Sequence, residues 1–510
     1  MLSVFDHGAP PPPCPVPFNL AAHVLGRADD LPDKVALAVL GPGGAECWSY
    51  ARLAAAVRGT GTGLLRAGLV PGDRVLMRLG NNVEFPIAYL GAIAVGLVPV
   101  PSSAQLTAPE VQGLIDIVAP RAILRGDGIA CPDTDIPVIS QATLAAMRTL
   151  PPADWQMGDP DRPGYIIFTS GTSGVPRAVV HAHRAIWARR MMHQGWYGLR
   201  ETDRLCHAGA FNWTYTLGTG LLDPWSLGAT ALIPEPGIAP VYLPQLLDHH
   251  DATIFASAPG VYRKLLTQDL TVSLPALRHG LSAGEKLSDT IRNAWQDATG
   301  TAVHEAYGMS ECSTFISGSP AHPAAPGMLG RPQTGRRVAI LGEDGLPVPR
   351  GRDGTIAVHR GDPGLMLGYL GDPAATAEKF AGDWFLTGDH GAMDADGQII
   401  FHGRADDMMN AGGYRVSPLE VEAALNTHPG ITQCAVTDIE VKADARLIMA
   451  FYTAPEPLPE TDLAAWTAAR LARYKAPRGF FHLPELPTGA NGKLIRRALR
   501  PIYEALHGQA

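Results

Sequence analysis

Several common signatures are missing from this chain of 510 residues, and each omission closes a class of function. There is no Gly-x4-Gly-Lys-Ser/Thr run, the commoner phosphate loop, and no Gly-x-Gly-x-x-Gly of a dinucleotide fold. The six cysteines (Cys14, Cys47, Cys131, Cys206, Cys312 and Cys434) are scattered without a Cys-x-x-Cys pair or zinc spacing, so they read as reduced thiols. Lys plus Arg number 41 against 49 Asp plus Glu, a net charge of −8, and no long basic run recommends nucleic acid or an anionic membrane as partner. Met1 to Asp6 carries an early acid and no basic n-region, which argues against a secretory signal and for the cytoplasm. The most apolar run, Ile87 to Val100, falls short of the roughly 20 residues that span a bilayer and reads as a buried helix followed by a strand.

What is present centres on Tyr165-Ile-Ile-Phe-Thr-Ser-Gly-Thr-Ser-Gly-Val-Pro-Arg177, an apolar strand signal entering a loop of hydroxyl and glycine residues. With His181 to Trp187 after it, the stretch reads as strand, anion-cradling loop and helix. Glycines permit close backbone approach to a polyanion, hydroxyls and N–H groups donate to phosphate oxygens, and Arg177 adds charge. A flexible linker has similar composition but is seldom flanked so tightly by regular structure.

Around this loop, helical runs alternate with short aliphatic strands. Ser49 is the expected N-cap of a helix through Val57, and strands are expected at 74–79, 122–124, 165–168, 229–233, 253–255, 337–341 and 355–358. Such alternation predicts an α/β architecture with largely parallel, buried sheets. After residue 380 the texture turns short-periodic and rich in Gly and Asp. A helix with a capping box then begins at Ser417-Pro-Leu-Glu420 and is stopped by Pro429-Gly430. A large N-terminal domain, 1–404, and a small α+β domain, 405–510, are therefore expected.

Phe168 to Arg177 resembles the signature of the AMP-forming adenylate superfamily of acyl-CoA synthetases, adenylation domains and luciferases. The likeness recurs in the family's order along the chain, which is more specific than any single motif. It implies the acyl-adenylate-forming fold and a site for ATP, Mg2+ and coenzyme A. By this resemblance Thr169, Ser170, Gly171, Thr172, Ser173 and Gly174 cradle phosphate with Arg177. Ser282-Ala-Gly-Glu285, including Gly284 and Glu285, lines one face of adenine, and Glu305-Ala306-Tyr307 supplies the other. Ser310 reaches the α-phosphate, and Glu311 holds Mg2+, a cation that prefers hard oxygen ligands. Asp389 of Thr387-Gly-Asp389 and Arg404 of Gly403-Arg404 match the ribose pair. Asp407 stands at the hinge, and Gly412-Gly413-Tyr414-Arg415 passes the pantetheine arm of coenzyme A. Lys493, in Pro487-Thr-Gly-Ala-Asn-Gly-Lys493, contacts the carboxylate and α-phosphate during adenylation.

Asp223 to Ala229, Ala258 to Leu266 and Gly403 to Pro418 look most like the medium-chain acyl-CoA synthetases, with benzoate-type ligases nearly as close. The acyl pocket implied is Trp213, Thr214, Tyr215, Ala283, Gly308 and Met309. Acetate-specific relatives carry tryptophan where Gly308 stands and valine where Ala283 stands, so an acid larger than acetate is expected. Three departures stand out: Ala210-Phe-Asn-Trp213 replaces the group's Asp-x-Gly-Trp, Arg177 replaces the usual lysine, and Asn491 stands where threonine is common. Two alternatives remain open, a ligase that loads a carrier-protein thiol and a catalytically silent nucleotide-binding protein. A homodimer is compatible with the chain, and acetylation of Lys493 by a lysine acetyltransferase would remove its charge.

Overall fold

The computed structural model describes residues 1–6, 12–169, 176–267, 273–404, 407–411, 414–442, 445–471, 473, 475–489 and 494–507. Its chain divides into two compact units, one of Phe5–Arg337 with Val358–Phe385, the other of Met1–Val4, Val338–Ala357 and Leu386–Ala510.

The first unit is built on parallel strands, as the aliphatic runs predict. In one sheet Val35–Gly41, Thr230–Pro234, Arg204–His207, Ile254–Ser257, His279–Ala283 and Val303–Met309 pair in parallel in that spatial order. Ser313–Ser317 and Met328–Pro332 then continue it antiparallel. These strands are buried on both faces, which is why they read as continuous apolar runs rather than alternations. A second, all-parallel sheet joins Val98–Pro101, Arg74–Arg78, Ala122–Arg125 and Val138–Ser140. Between its strands runs the apolar stretch foreseen as buried helix and strand, observed as helix Glu84–Ala94 and strand Val98–Pro101. Each fully buried Leu or Ile in that helix contributes about 1.5 to 3 kcal/mol. Ser49 caps helix Tyr50–Arg66 as expected, its hydroxyl accepting from the Arg52 amide.

The organising loop has a different frame from the one expected. Strand Pro163–Thr169 is followed by strand Arg177–Ala182, antiparallel to it, with Thr169 opposite Arg177. Helix starts only at Ala185 and lasts four residues. The loop is thus a hairpin tip, not a helix N-terminus, because Ala178-Val-Val-His181 fits a pleated, half-buried surface better than a helix. Among the described residues no helix begins beside the loop to offer its dipole to phosphate.

In the second unit, Gln433–Lys442 pairs antiparallel with Ala445–Thr453, which runs parallel to Gly479–His482. Two apolar clusters drawn entirely from residues after 408 flank this sheet, one including Val421, Leu425 and Ile448, the other Phe451, Leu483 and Leu499. The elements after 404 thus carry cores of their own, although the strand Ile399–Arg404 belongs to the same compact unit. Helix Pro418–Asn426 begins where expected, but without the capping box. Ser417 Oγ donates to the His402 carbonyl oxygen and accepts from no first-turn amide, the tertiary bond turning the hydroxyl away from them.

Candidate active site

In the first unit, three elements bring the motifs together. The hairpin supplies Thr169 and Arg177, strand Val303–Met309 leads through Ser310 to Glu311, and the short strand Gly368–Tyr369 pairs with the hairpin at Val180 and Val179. The Glu311 side chain is buried at 7% exposure, and its Oε1 accepts from the Tyr369 hydroxyl at 2.7 Å. The Arg177 guanidinium lies 5.1 Å over the Tyr369 ring. Burial and the neighbouring carboxylate push the Tyr369 phenol well up, so it stays a donor at neutral pH. Tyr369 is a site residue the motifs missed, because it lies 58 residues from its partner with no local signal. The donor set fits Mg2+: one oxygen of Glu311 is tied to Tyr369, and among the described residues the other takes no protein donor.

Below Ser310, His181 Nε2 lies 2.7 Å from the Ser310 carbonyl oxygen. A carbonyl only accepts, so Nε2 carries the proton. The imidazole stacks on Tyr165 at 4.8 Å, and burial pushes it down to about 4, which keeps it neutral.

The expected adenine walls also converge. Gly284 has φ +94°, and a Cβ there would lie 2.4 Å from Trp213 Cζ2, so the indole lies directly on the loop. Glu305, expected at the nucleotide, is 1% exposed and turned onto protein groups instead. It accepts from the Leu287 amide at 2.9 Å, Lys286 Nζ at 3.2 Å and Arg292 Nη2 at 3.1 Å. Its carboxylate therefore holds the segment carrying Gly284 and Glu285. Ala306 is in the core, and Tyr307, 8% exposed, meets Phe315 edge-on at 5.3 Å.

Of the acyl-pocket residues, Tyr215 and Ala283 belong to a buried apolar cluster with Trp213 at its margin. The Tyr215 hydroxyl donates to the Leu281 carbonyl at 3.1 Å, and its ring meets Trp213 edge-on at 5.2 Å. At Gly308 a Cβ would lie 2.1 Å from the Ser313 carbonyl oxygen. The neighbouring strand therefore requires glycine at this position. Thr214 and Met309 are half-buried.

The pair expected at the ribose lies in the second unit. Asp389 and Arg404 face each other on antiparallel strands with 3.7 Å between Oδ1 and Nη1. Asp407 Oδ2 is 3.8 Å from Arg496 Nη1, a guanidinium that also grips Glu422 at 2.6 Å. Ser170 to Gly174, Gly412, Gly413, Lys493 and the side chains of Tyr414 and Arg415 lie outside the described residues, and the backbone of Tyr414–Val416 forms a strand opposite Met409–Ala411.

The pattern of the AMP-binding enzymes matches residues 26–370, and that of the AMP-binding enzyme C-terminal domain matches 420–493. The chain belongs to the AMP-binding enzyme family. Among curated relatives of this AMP-binding enzyme, the 3-hydroxybenzoate–CoA ligase of Aromatoleum sp. (strain CIB) is 30% identical over 96% of this chain and 97% of its own length. A human mitochondrial acyl-coenzyme A synthetase, ACSM2A, is 29% identical over 97% and 92%. Among solved structures, the anthranilate CoA ligase AuaEII in complex with anthranoyl-AMP superposes with a TM-score of 0.88 at 25% identity, covering 96% of this chain and 98% of that one. The fold and family implied by the motifs are thereby established. Among the described residues no helix is long and apolar enough to cross a membrane.

Proposed function

We propose that this AMP-binding enzyme is an acid–CoA ligase for a medium-size aliphatic or an aromatic acid larger than acetate. One observation carries the reading: Arg177, Tyr369 and Glu311 converge beside the end of the phosphate-loop hairpin at Thr169. The neighbouring placement of Trp213 on Gly284 supports an acyl and adenine site there. The names of the relatives, which include a benzoate–CoA ligase of Thauera aromatica at 30% identity, support the substrate class.

In the first step an oxygen of the acid's carboxylate attacks the α-phosphorus of ATP, and the bond to pyrophosphate breaks. The hairpin loop and Arg177 hold the departing phosphates in line. Tyr369 fixes the Glu311 carboxylate, the group that would hold Mg2+, and that cation when bound offsets phosphate charge. Lys493 neutralises charge at the reacting oxygens. In the second step the sulfur of coenzyme A attacks the acyl carbon and AMP leaves, the thiol proton passing to solvent. The small domain, turning about Asp407, exchanges Lys493 for Gly412 to Arg415 between the steps. The six unpaired thiols fit a cytoplasmic protein.

The test is AMP and thioester formation from ATP, Mg2+ and coenzyme A across acids from acetate through octanoate to benzoate and phenylacetate. A thioester maximum at one acid above acetate is expected. Pyrophosphate without thioester would point instead to a carrier-protein thiol, and no turnover of any acid would overturn the ligase reading.

A further inference from the structure

The loop that delivers Trp213 follows strand Arg204–His207 of the first sheet and is held by a residue that no motif singled out. Asn81, half-buried, stands where the chain leaves the all-parallel second sheet after strand Arg74–Arg78. Its Nδ2 donates to the Gly209 carbonyl oxygen at 2.8 Å, and its Oδ1 accepts from the Phe211 amide at 2.9 Å. One carboxamide thus clasps two loop residues, 128 and 130 positions away in sequence. An amide N–H only donates and a carbonyl only accepts, so the loop itself fixes which way the carboxamide points. Aspartate lacks the donor and leucine lacks both groups, so asparagine is the residue of this size that satisfies the pair.

The composition of the loop makes this clasp consequential. Ala208, Gly209 and Ala210 carry little side chain, and all three border an open pocket of about 240 Å3 with Pro234, Ile238 and Leu243. Part of the loop therefore faces space rather than packed side chains, and its backbone depends on hydrogen bonds. The Ala208 amide donates to the Ala256 carbonyl at 3.1 Å, and the Trp213 amide closes a turn on the Ala210 carbonyl at 3.0 Å. Phe211, 2% exposed, anchors the middle of the loop against Phe85, with 5.5 Å between ring centroids. An apolar anchor is not directional; the bonds from Asn81 are, and they set the rotation of the backbone around Phe211.

Held in this way, the loop lays the indole of Trp213 on Gly284. The approach is close, since a Cβ at Gly284 would lie 2.4 Å from Cζ2 and 2.7 Å from Cη2 of that ring. Tyr215 meets the same ring edge-on at 5.2 Å. A gap of about 1 Å already forfeits up to about half of such a contact, so a small turn of the loop backbone unseats the indole.

We propose that Asn81 is a positioning residue of the acyl site, which reaches from the neighbouring sheet to hold Gly209 and Phe211 so that Trp213 is seated on Gly284. It acts on the acid through the indole. The inference rests on the ligase reading above and deepens it.

The experiment measures adenylation by Asn81→Ala, made in the unaltered chain and in Trp213→Ala, over a concentration series of the acid the unaltered enzyme prefers. Loss of the two bonds is expected to raise KM for the acid about tenfold while kcat stays within about threefold. The melting temperature should move by a few degrees at most, because Phe211 stays buried. In Trp213→Ala, which has no indole to seat, adding Asn81→Ala should change KM by less than about twofold. An equal rise in both backgrounds would make Asn81 a general brace and overturn the proposal, as would an unchanged KM in Asn81→Ala. A second readout needs no turnover: acrylamide quenching of Trp213, taken as the difference from Trp213→Phe, should increase in Asn81→Ala. That increase would support the seating even if no acid is adenylated, the outcome that sinks the ligase reading, whereas equal quenching would overturn it.

Discussion

Replacing Glu305 by glutamine separates an acid that touches ATP from one that shapes the loop facing it. The carboxylate takes three protein donors, the Leu287 amide, Lys286 and Arg292. Glutamine keeps a carbonyl oxygen for the amide but cannot neutralise two cations, so at least one charge-assisted bond, about 1.5 to 3 kcal/mol, is lost from the segment that carries Gly284. When that segment spends part of its time out of place, apparent ATP affinity falls by the competent fraction. A loss of about 1.5 kcal/mol corresponds to roughly a tenfold rise in KM for ATP, while kcat at saturating ATP stays within about twofold. Initial rates of pyrophosphate release over an ATP series give both parameters. A fall in kcat of two decades or so at unchanged KM would place the carboxylate on the reacting groups and refute the reasoning.

Tyr369→Phe keeps the ring under Arg177 but removes the donor on Glu311, and is expected to raise the Mg2+ concentration for half-maximal adenylation about tenfold. The same loss should appear in calorimetric Mg2+·ATP binding, and an unchanged Mg2+ dependence would sink the role assigned to this hydroxyl. Lys493→Ala is expected to lower adenylation by about 3 to 4 kcal/mol, two to three decades, in a single-turnover assay. Acetyl-Lys493 should behave alike, and full activity of either form would remove this lysine from the mechanism. Burial pushes His23, His181 and His279 down to about 4 and His183, His207 and His304 to about 3. Their folded values lie below the ordinary 6.5, so the unfolded chain binds more protons below that pH. Stability is then full above about pH 6.5 and lost as pH falls toward 4, each group costing up to about 2 kcal/mol at pH 5. His183 Nδ1 accepts from the Leu20 amide and His207 Nδ1 from the Gly209 amide, bonds that protonation abolishes. The melting temperature should fall between pH 7 and 5, and a flat profile would contradict the burial argument.

Local signals were readable wherever the partner was local. Ser49 caps its helix through the Arg52 amide, three residues on, and the apolar runs of the parallel sheets announce burial on both faces. What failed depended on distant partners. Ser417 carries the spacing of a capping box, yet its hydroxyl is turned to the distant His402 carbonyl as a donor and accepts from no first-turn amide. His181 to Trp187 follows a phosphate loop and so reads as a helix, but pairing with Pro163–Thr169 makes Arg177–Ala182 a strand and leaves helix only from Ala185. Within the site, the order of motifs located Arg177 and Glu311, whereas nothing near either announced Tyr369. Glu305, expected at the nucleotide, turns its side chain onto Leu287, Lys286 and Arg292, because a motif identifies a position and not the neighbours that claim its charge.

The hairpin has a consequence for which changes in length the chain can tolerate. Its two legs are held in register, Tyr165 opposite His181 and Thr169 opposite Arg177, and side chains alternate between faces along each leg. Adding or removing a residue between Thr169 and Arg177 alters the reach of the tip while both ends stay paired. One residue deleted within either leg instead turns the rest of that leg over, exchanging the directions of neighbouring side chains such as Val180 and His181. Across single deletions of residues 163 to 182, those in the legs should therefore lower the melting temperature, whereas those in the loop should leave the fold standing and cost adenylation alone.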